Sequence, residues 1–556
     1  MKASTLSINI VIIVVSALLF IPNLGAVHLF DWDEINFAEC AREMIVTGNY
    51  SQVMINYEAF WEKPPLFFWM QVIAMKIFGA NEFAARLPNA ICGMFTLLAV
   101  YNIGAKHFNQ KMASFWVLAF AGSFLPHFYF KSGIIDPWFN LFIFLGIYYF
   151  ISYSSHYVVE VRSKNKIPYL LFSALFIGLA VLTKGPVALL IFGLCFLGYL
   201  LISRFKQFFG YKEMLLWTFI VALTGSSWFL VEIARGRFDI VVEFFEYQVR
   251  LFNTQDAGHG GPFYYHFLVL LIGCFPASIL MIRGFKKIGT AAPFKKYLKL
   301  WMIILFWVVL ILFSIVKTKI VHYSSLTYFP ITFLAAWTFN FILERKLEWK
   351  KWMTVLTGII GIVLGIAITL LPFVAKYKAN IITSGIIKDD FALANLQADV
   401  YWNGFEFLIG LSFLIFIVVA IYFFNTKRIA TAISLVFAAS LITVNFTILV
   451  FVPKIEKYSQ GAAIEFYRHF QNKDVYIEPL FFKSYAQLYY SDKKPVKNPL
   501  SYDIQWLLNG DVDKPVYFVT RVNKENEIKE YYSHLKEVYR KNGFIFYTRN
   551  IEVENR

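Results

Sequence analysis

The stretch "FDWDEINFAEC" at residues 30–40 sets three carboxylates, Asp31, Asp33 and Glu34, immediately behind an apolar run from Ile8 to Val27. Charge is costly beside lipid, and where it occurs it marks a functional position by default. A carboxylate held there can orient a reacting group or take its proton, and a cation can steady developing negative charge. Lys63 in "WEKPP", Lys184 in "LTKGPV", Arg250 in "YQVRLFN" and Asp136, just before Pro137, occupy comparable places. Each also has a plainer explanation. Asp33 and Asp136 stand at helix starts, where a carboxylate accepts backbone hydrogen bonds, and the three cations can snorkel to the headgroups. Asp31 and Glu34 have weaker claims and read as solvated.

The elements that must carry these residues are membrane spans. The chain has 556 residues, 58% of them hydrophobic and 16% charged, with a mean hydropathy of +0.57. Such a composition is that of a polytopic membrane protein. The net charge of +16 sits in short loops between apolar segments, as membrane orientation requires, so nucleic acid is not expected as a partner. Cys40, Cys92, Cys195 and Cys274 are far apart and form no CxxC pair, so neither a disulfide framework nor a zinc ribbon follows. The first apolar run is a full crossing in length, which favours a retained span over a cleaved signal peptide.

About thirteen runs are candidates for crossing ~30 Å of hydrocarbon: 7–27, 83–105, 111–130, 137–156, 168–183, 185–203, 213–232, 262–282, 299–316, 321–342, 352–374, 403–424 and 428–452. Lys-Gly-Pro at 184–186 breaks helix chemistry and separates two of them. With the amino terminus inside, the Lys- and Arg-rich loops such as "RGFKKIGTAAPFKKYLK" all face the cytoplasm. The loops facing out are then 28–82, 131–136, the Lys184 turn, 233–261, 317–320 and 375–402. Residues 1–452 form the membrane domain, and 453–556, where "DVYIEPLFF", "KPVYFVT" and "GFIFYTR" alternate like strands, form a small extracytoplasmic α/β domain. Helical segments are expected around 460–472 and 524–538. The first outer loop carries two helical patterns, each read as lying in the interface, with Glu39, Arg42 and Glu43 on the polar side of the first.

The run "DEINFAECAREMIVTGNY", followed by "YEAFWEKPPLFFWMQVIAMKIFG" and "EFAARLPNAI", resembles the opening of the aminoarabinose transferases of lipid A modification. These are related to the protein O-mannosyltransferases, within the integral-membrane, polyprenyl-phosphate-sugar-dependent glycosyltransferases of GT-C fold. Further matches are "DPWFNLFIFLG", "GLAVLTKGPVA", "HGGPFYY" and "KTKIVHYSSLTYFP". Their order and spacing over residues 1–452 carry the resemblance more than any one of them does.

That resemblance implies an inverting sugar transfer from a polyprenyl-phosphate donor to lipid A or to a protein acceptor. The reaction would take place among membrane lipids, on the periplasmic side of a bacterial inner membrane. It implies that Asp33 and Asp136 act at the reacting centre and that Lys63, Lys184, Arg250 and Tyr323 meet donor phosphate. Glu62 and His259 match positions that hold a divalent metal, such as zinc. His266 and His322 compete for the metal, although each also reads as a hydrogen-bonded interfacial histidine. A transporter or flippase, the rival from another class, would place its charges near the bilayer midplane, often in paired repeats. The conspicuous charges here gather at one face.

Overall fold

The computed structural model describes residues 5–60, 62–159, 165–253, 260–288, 292–495 and 497–549. Its first helices are α1 (Thr5–Phe20), α2 (Asp33–Thr47), α3 (Leu66–Phe78), α4 (Glu82–His107), α5 (Gln110–Ala121), α6 (Phe124–Phe128), α7 (Asp136–Val158), α8 (Ile167–Lys184) and α9 (Val187–Ile202). Among the described residues eight helices are long and apolar enough to cross a membrane, or up to eleven if each of three bent pairs is one span. The pairs bend by 80°, 53° and 111°; α1 and α9 are shorter apolar helices. Large aromatic side chains fill the middle of the bundle: Trp116, Trp301 and Trp337 are fully buried, Phe115 stacks on Phe339 at 3.8 Å and Phe144 on Phe329 at 4.2 Å. Without a hydrophobic force between helices in lipid, such close packing is what holds them together.

The first outer loop departs from the expected arrangement. α2 was expected to lie in the interface with its polar side wet, yet Glu39, Arg42 and Glu43 are buried. The C-terminal domain covers them. Arg42 pairs with Glu39 at 2.6 Å and Asp492 at 2.9 Å, and donates to the Lys493 carbonyl at 2.8 Å. Nor is Glu34 solvated. Its carboxylate pairs with Arg86 of α4 at 2.7 Å and accepts from the backbone N–H groups of Phe30, at 2.9 Å, and Gly133. Arg86 spends its other donors on the carbonyls of Leu24, Val27 and His28. The loop following α1 is thereby fastened to the bundle through one buried ion pair.

After the last apolar helix the chain builds a four-stranded sheet from β3 (Tyr476–Pro479), β4 (Val516–Arg521), β5 (Lys536–Lys541) and β6 (Phe544–Arg549), β1 and β2 being a short hairpin at Met54–Ala59. The order is β3-β4-β6-β5, with β3 and β4 parallel and the other pairs antiparallel. The alternating segments at 474–482, 514–520 and 543–549 supply β3, β4 and β6. The helix expected to reach residue 538 ends at Tyr531, and β5 follows it. Ile464, Phe466, Val519 and Phe546 of this domain join Ile35, Phe37, Ala41 and Met44 of α2 in one apolar cluster. The sheet domain and the first outer loop therefore share a core on one side of the bundle.

Candidate active site

The site grows out of broken helices. α8 runs to Lys184 and stops at Gly185, whose φ of +88° is the left-handed conformation that favours glycine. A Cβ at that position would also lie 2.6 Å from the Phe244 ring. Pro186 then starts α9, so the ammonium of Lys184 is delivered at the end of a helix rather than along its side. Asp33 and Asp136 are the opening residues of α2 and α7, but neither carboxylate caps its helix. Each is used across the site instead. A 3-10 helix at Val321–Thr327 brings in His322 and Tyr323.

Asp33, Asp136, Lys184 and His322 form a linked set. Lys184 Nζ lies 2.7 Å from Asp136 Oδ1. His322 Nε2 lies 3.2 Å from Asp33 Oδ2 and 3.7 Å from Asp136 Oδ2. Burial would raise the Asp33 carboxyl, but the His322 hydrogen bond and charge, with Lys184 and Lys63 beyond, hold it below its ordinary value of 3.8. Lys63, entering from the loop before α3, sits 3.8 Å from Glu62. Burial and the Lys184 charge lower its pKa against the pull of Glu62, Asp33 and Asp136.

All of these side chains line one cavity of about 910 Å³. Tyr323 lines it too, with Lys184 5.3 Å from its ring centroid. Tyr247, from the helix Phe238–Asn253, forms part of the wall and carries two cations on its ring, Lys63 at 5.2 Å and Arg250 at 5.1 Å. Arg250 is thus stacked on Tyr247 and is not among the residues that line the cavity. Residues from the 28–82 loop, the 131–136 loop, the Lys184 turn, the 233–261 segment and the 317–320 region converge here.

Of the two residues matched to a metal site, Glu62 lines the cavity beside an ammonium group, and His259 lies outside the described residues. Among the described residues no group of three or more His, Cys, Asp or Glu side chains could hold a metal ion. His266, the other histidine that competed for a metal, is buried and bonded to Ser324 Oγ at 3.0 Å.

His322 competed for the metal in sequence and also read as an interfacial histidine; only the fold brings it between two carboxylates. Lys483 and Arg521 come from the C-terminal domain, where no local pattern marks them. Asp31 opens into the same cavity, and its apolar surroundings push the carboxyl up to about 6 against the hydrogen bonds from Ser484 and Tyr485 and the charge of Arg521.

Comparisons with known proteins agree with this architecture. The family described as dolichyl-phosphate-mannose-protein mannosyltransferase matches residues 62–228. An undecaprenyl phosphate-alpha-4-amino-4-deoxy-L-arabinose arabinosyl transferase of Shewanella sediminis is 24% identical over 379 residues, 68% of this chain and 68% of its own length. One from Proteus mirabilis is 27% identical over 330 residues, 59% of this chain and 58% of its own. The crystal structure of ArnT from Cupriavidus metallidurans bound to undecaprenyl phosphate superimposes with a TM-score of 0.75 at 15% identity, covering all of both chains. The chain is a polytopic membrane glycosyltransferase with the GT-C fold. Within that class it is aminoarabinose transferase-like, along its membrane helices and in the small sheet at its carboxyl end.

Proposed function

We propose that this protein transfers a 4-amino-4-deoxyarabinose-like sugar from a polyprenyl-phosphate carrier to lipid A, inverting the anomeric carbon. The reaction breaks the bond between that carbon and the donor phosphate oxygen, which leaves with the electron pair, and forms a bond to an acceptor oxygen. Negative charge builds on the leaving phosphate, so cations placed there stabilise the transition state more than the ground state. Lys63 and Lys184 are assigned to it, with Tyr323 beside Lys184 and Arg250 acting through the Tyr247 wall.

The observation that carries the choice of acceptor is Asp33, bonded to His322 with two ammonium groups in the same cavity. A carboxylate with a lowered pKa is a weak base. A lipid A phosphate is already ionised and needs no base, whereas the hydroxyl of a protein acceptor does. Asp33 then steadies positive charge on the sugar and Asp136 holds Lys184. The match over 62–228 keeps protein O-mannosyl-type transfer as the second reading. No step of this scheme is routed through a metal.

The thirteen-crossing arrangement, with the cavity and residues 453–556 on the periplasmic face of a bacterial inner membrane, is part of the same proposal. Lys- and Arg-rich loops at the opposite ends of the helices support it. The test is purified protein supplied with undecaprenyl-phosphate aminoarabinose and lipid A. Asp33→Asn should lower kcat/KM by about 10²-fold or more, and Lys63→Ala by a comparable factor. No transfer to lipid A by the wild type, with transfer to a protein acceptor, would overturn the choice of acceptor; full activity in both variants would overturn the site.

A further inference from the structure

The sheet domain reaches into the cavity through the carboxyl ends of its parallel pair. β3 ends at Pro479 and the chain continues into Phe481, Phe482 and Lys483; β4 ends at Arg521 beside it. The crevice beyond the carboxyl ends of parallel strands is a habitual place for ligands. Arg521 is stacked between two rings, its guanidinium carbon 4.8 Å from the centroids of both Phe391 and Phe482. Stacking of this kind occupies the flat faces and leaves the N–H edges for a planar or tetrahedral anion. One edge is conspicuously unused, since Arg521 Nε is buried with no hydrogen-bond partner, an arrangement that costs free energy until an acceptor arrives. Lys483 lies 4.8 Å from the Trp32 ring and 5.6 Å from Tyr485, likewise fixed by aromatics rather than by a carboxylate.

Charge balance separates this wall from the membrane side. There Lys184 answers Asp136, Lys63 answers Glu62, and His322 answers Asp33. On the sheet side two permanent cations, Lys483 and Arg521, face Asp31. A second cavity of about 510 Å³ shares Asp31, Phe482 and Arg521 with the first, and its other walls mix apolar side chains with polar ones such as Asn395, Ser459, Gln460 and Ser484. Arg521 thus stands where the two spaces meet, reachable from a route that does not pass Lys63 or Lys184.

Resting on the function proposed above and extending it, we propose that Lys483 and Arg521 form a second anion subsite, which takes the phosphate of the lipid acceptor while the membrane-side cations take the phosphate of the donor. The C-terminal domain then supplies acceptor recognition. The bidentate fork of Arg521 sets the orientation of the phosphate, and Lys483 adds charge without direction.

Equilibrium binding to the full-length protein in phosphatidylcholine nanodiscs tests this without requiring turnover. The probes are lipid A, lipid A stripped of its phosphates, and undecaprenyl phosphate. Wild type should prefer intact over stripped lipid A by about tenfold or more, as loss of charge-assisted hydrogen bonds implies. Lys483→Ala/Arg521→Ala should lose that preference while holding undecaprenyl phosphate within about twofold of wild type. Arg521→Lys, which keeps the charge and guards against misfolding, should retain part of the preference. An unchanged preference in the double variant would overturn the subsite, and an equal loss of undecaprenyl phosphate binding would reassign it to the donor. Because binding is read apart from transfer, a wild type that binds lipid A in this way yet glycosylates another acceptor defeats the functional reading and not the subsite.

Discussion

His322 joins two carboxylates that chain order keeps far apart, and in the proposed reaction it is a positioning residue. Removing it in His322→Ala takes away the hydrogen bond that lowers Asp33. The acid limb of the kcat profile should therefore move to higher pH, and kcat should fall by about 10²-fold through misplacement of Asp33. A fall in kcat with an unmoved acid limb would show that the histidine only fills space. Asp31 makes a prediction of opposite sign. Its folded pKa of about 6 exceeds the ordinary 3.8, so the folded state binds more protons between those values and stability falls as pH rises through them. In Asp31→Asn that slope should vanish: thermal unfolding should match wild type below 3.8 and occur at higher temperature above about 6. By contrast the depressed Asp33 contributes stability above 3.8 that is lost only as pH falls below it.

Among the elements, the break between α8 and α9 was fully legible because Lys-Gly-Pro is local chemistry. Glycine takes a positive φ at low cost and proline cannot continue a helix. Gly185→Ala should accordingly strain the turn and push on Phe244, lowering both the unfolding temperature and activity by way of Lys184; wild-type behaviour of this variant would show the turn to be compliant. α2 was legible only in part. The spacing of Phe37, Ala41 and Met44 revealed a helix with one apolar face, but what covers its polar face is Asp492 and Lys493, far along the chain. The same limit applies to the site. Asp33, Lys63, Asp136, Lys184 and Tyr323 stand in recognisable local patterns and all line the cavity, whereas Lys483 and Arg521 have no pattern of their own and acquire meaning only where β3 and β4 end. The bent pairs also escaped the reading, since hydropathy counts apolar residues and is blind to a turn within a run.

Across the whole molecule, the Glu34–Arg86 pair and the core shared between α2 and the sheet domain hold the site together from opposite sides. Arg86→Ala leaves a buried carboxylate without its partner, a change that typically costs about 3–5 kcal/mol, and should lower the unfolding temperature far more than the exposed Lys350→Ala. A chain ended after residue 452 should fail to give an active, stable membrane core, because the polar side of α2 would lose its partners; recovery of full activity would refute this. The shared core also has a consequence for biosynthesis. α2 leaves the ribosome among the first elements, and the strands that bury it are among the last, so every membrane helix must be inserted before the outer loop can close. Until then the loop should remain open to protease in ribosome-bound chains, and the cavity becomes whole only when the end of the message has been read.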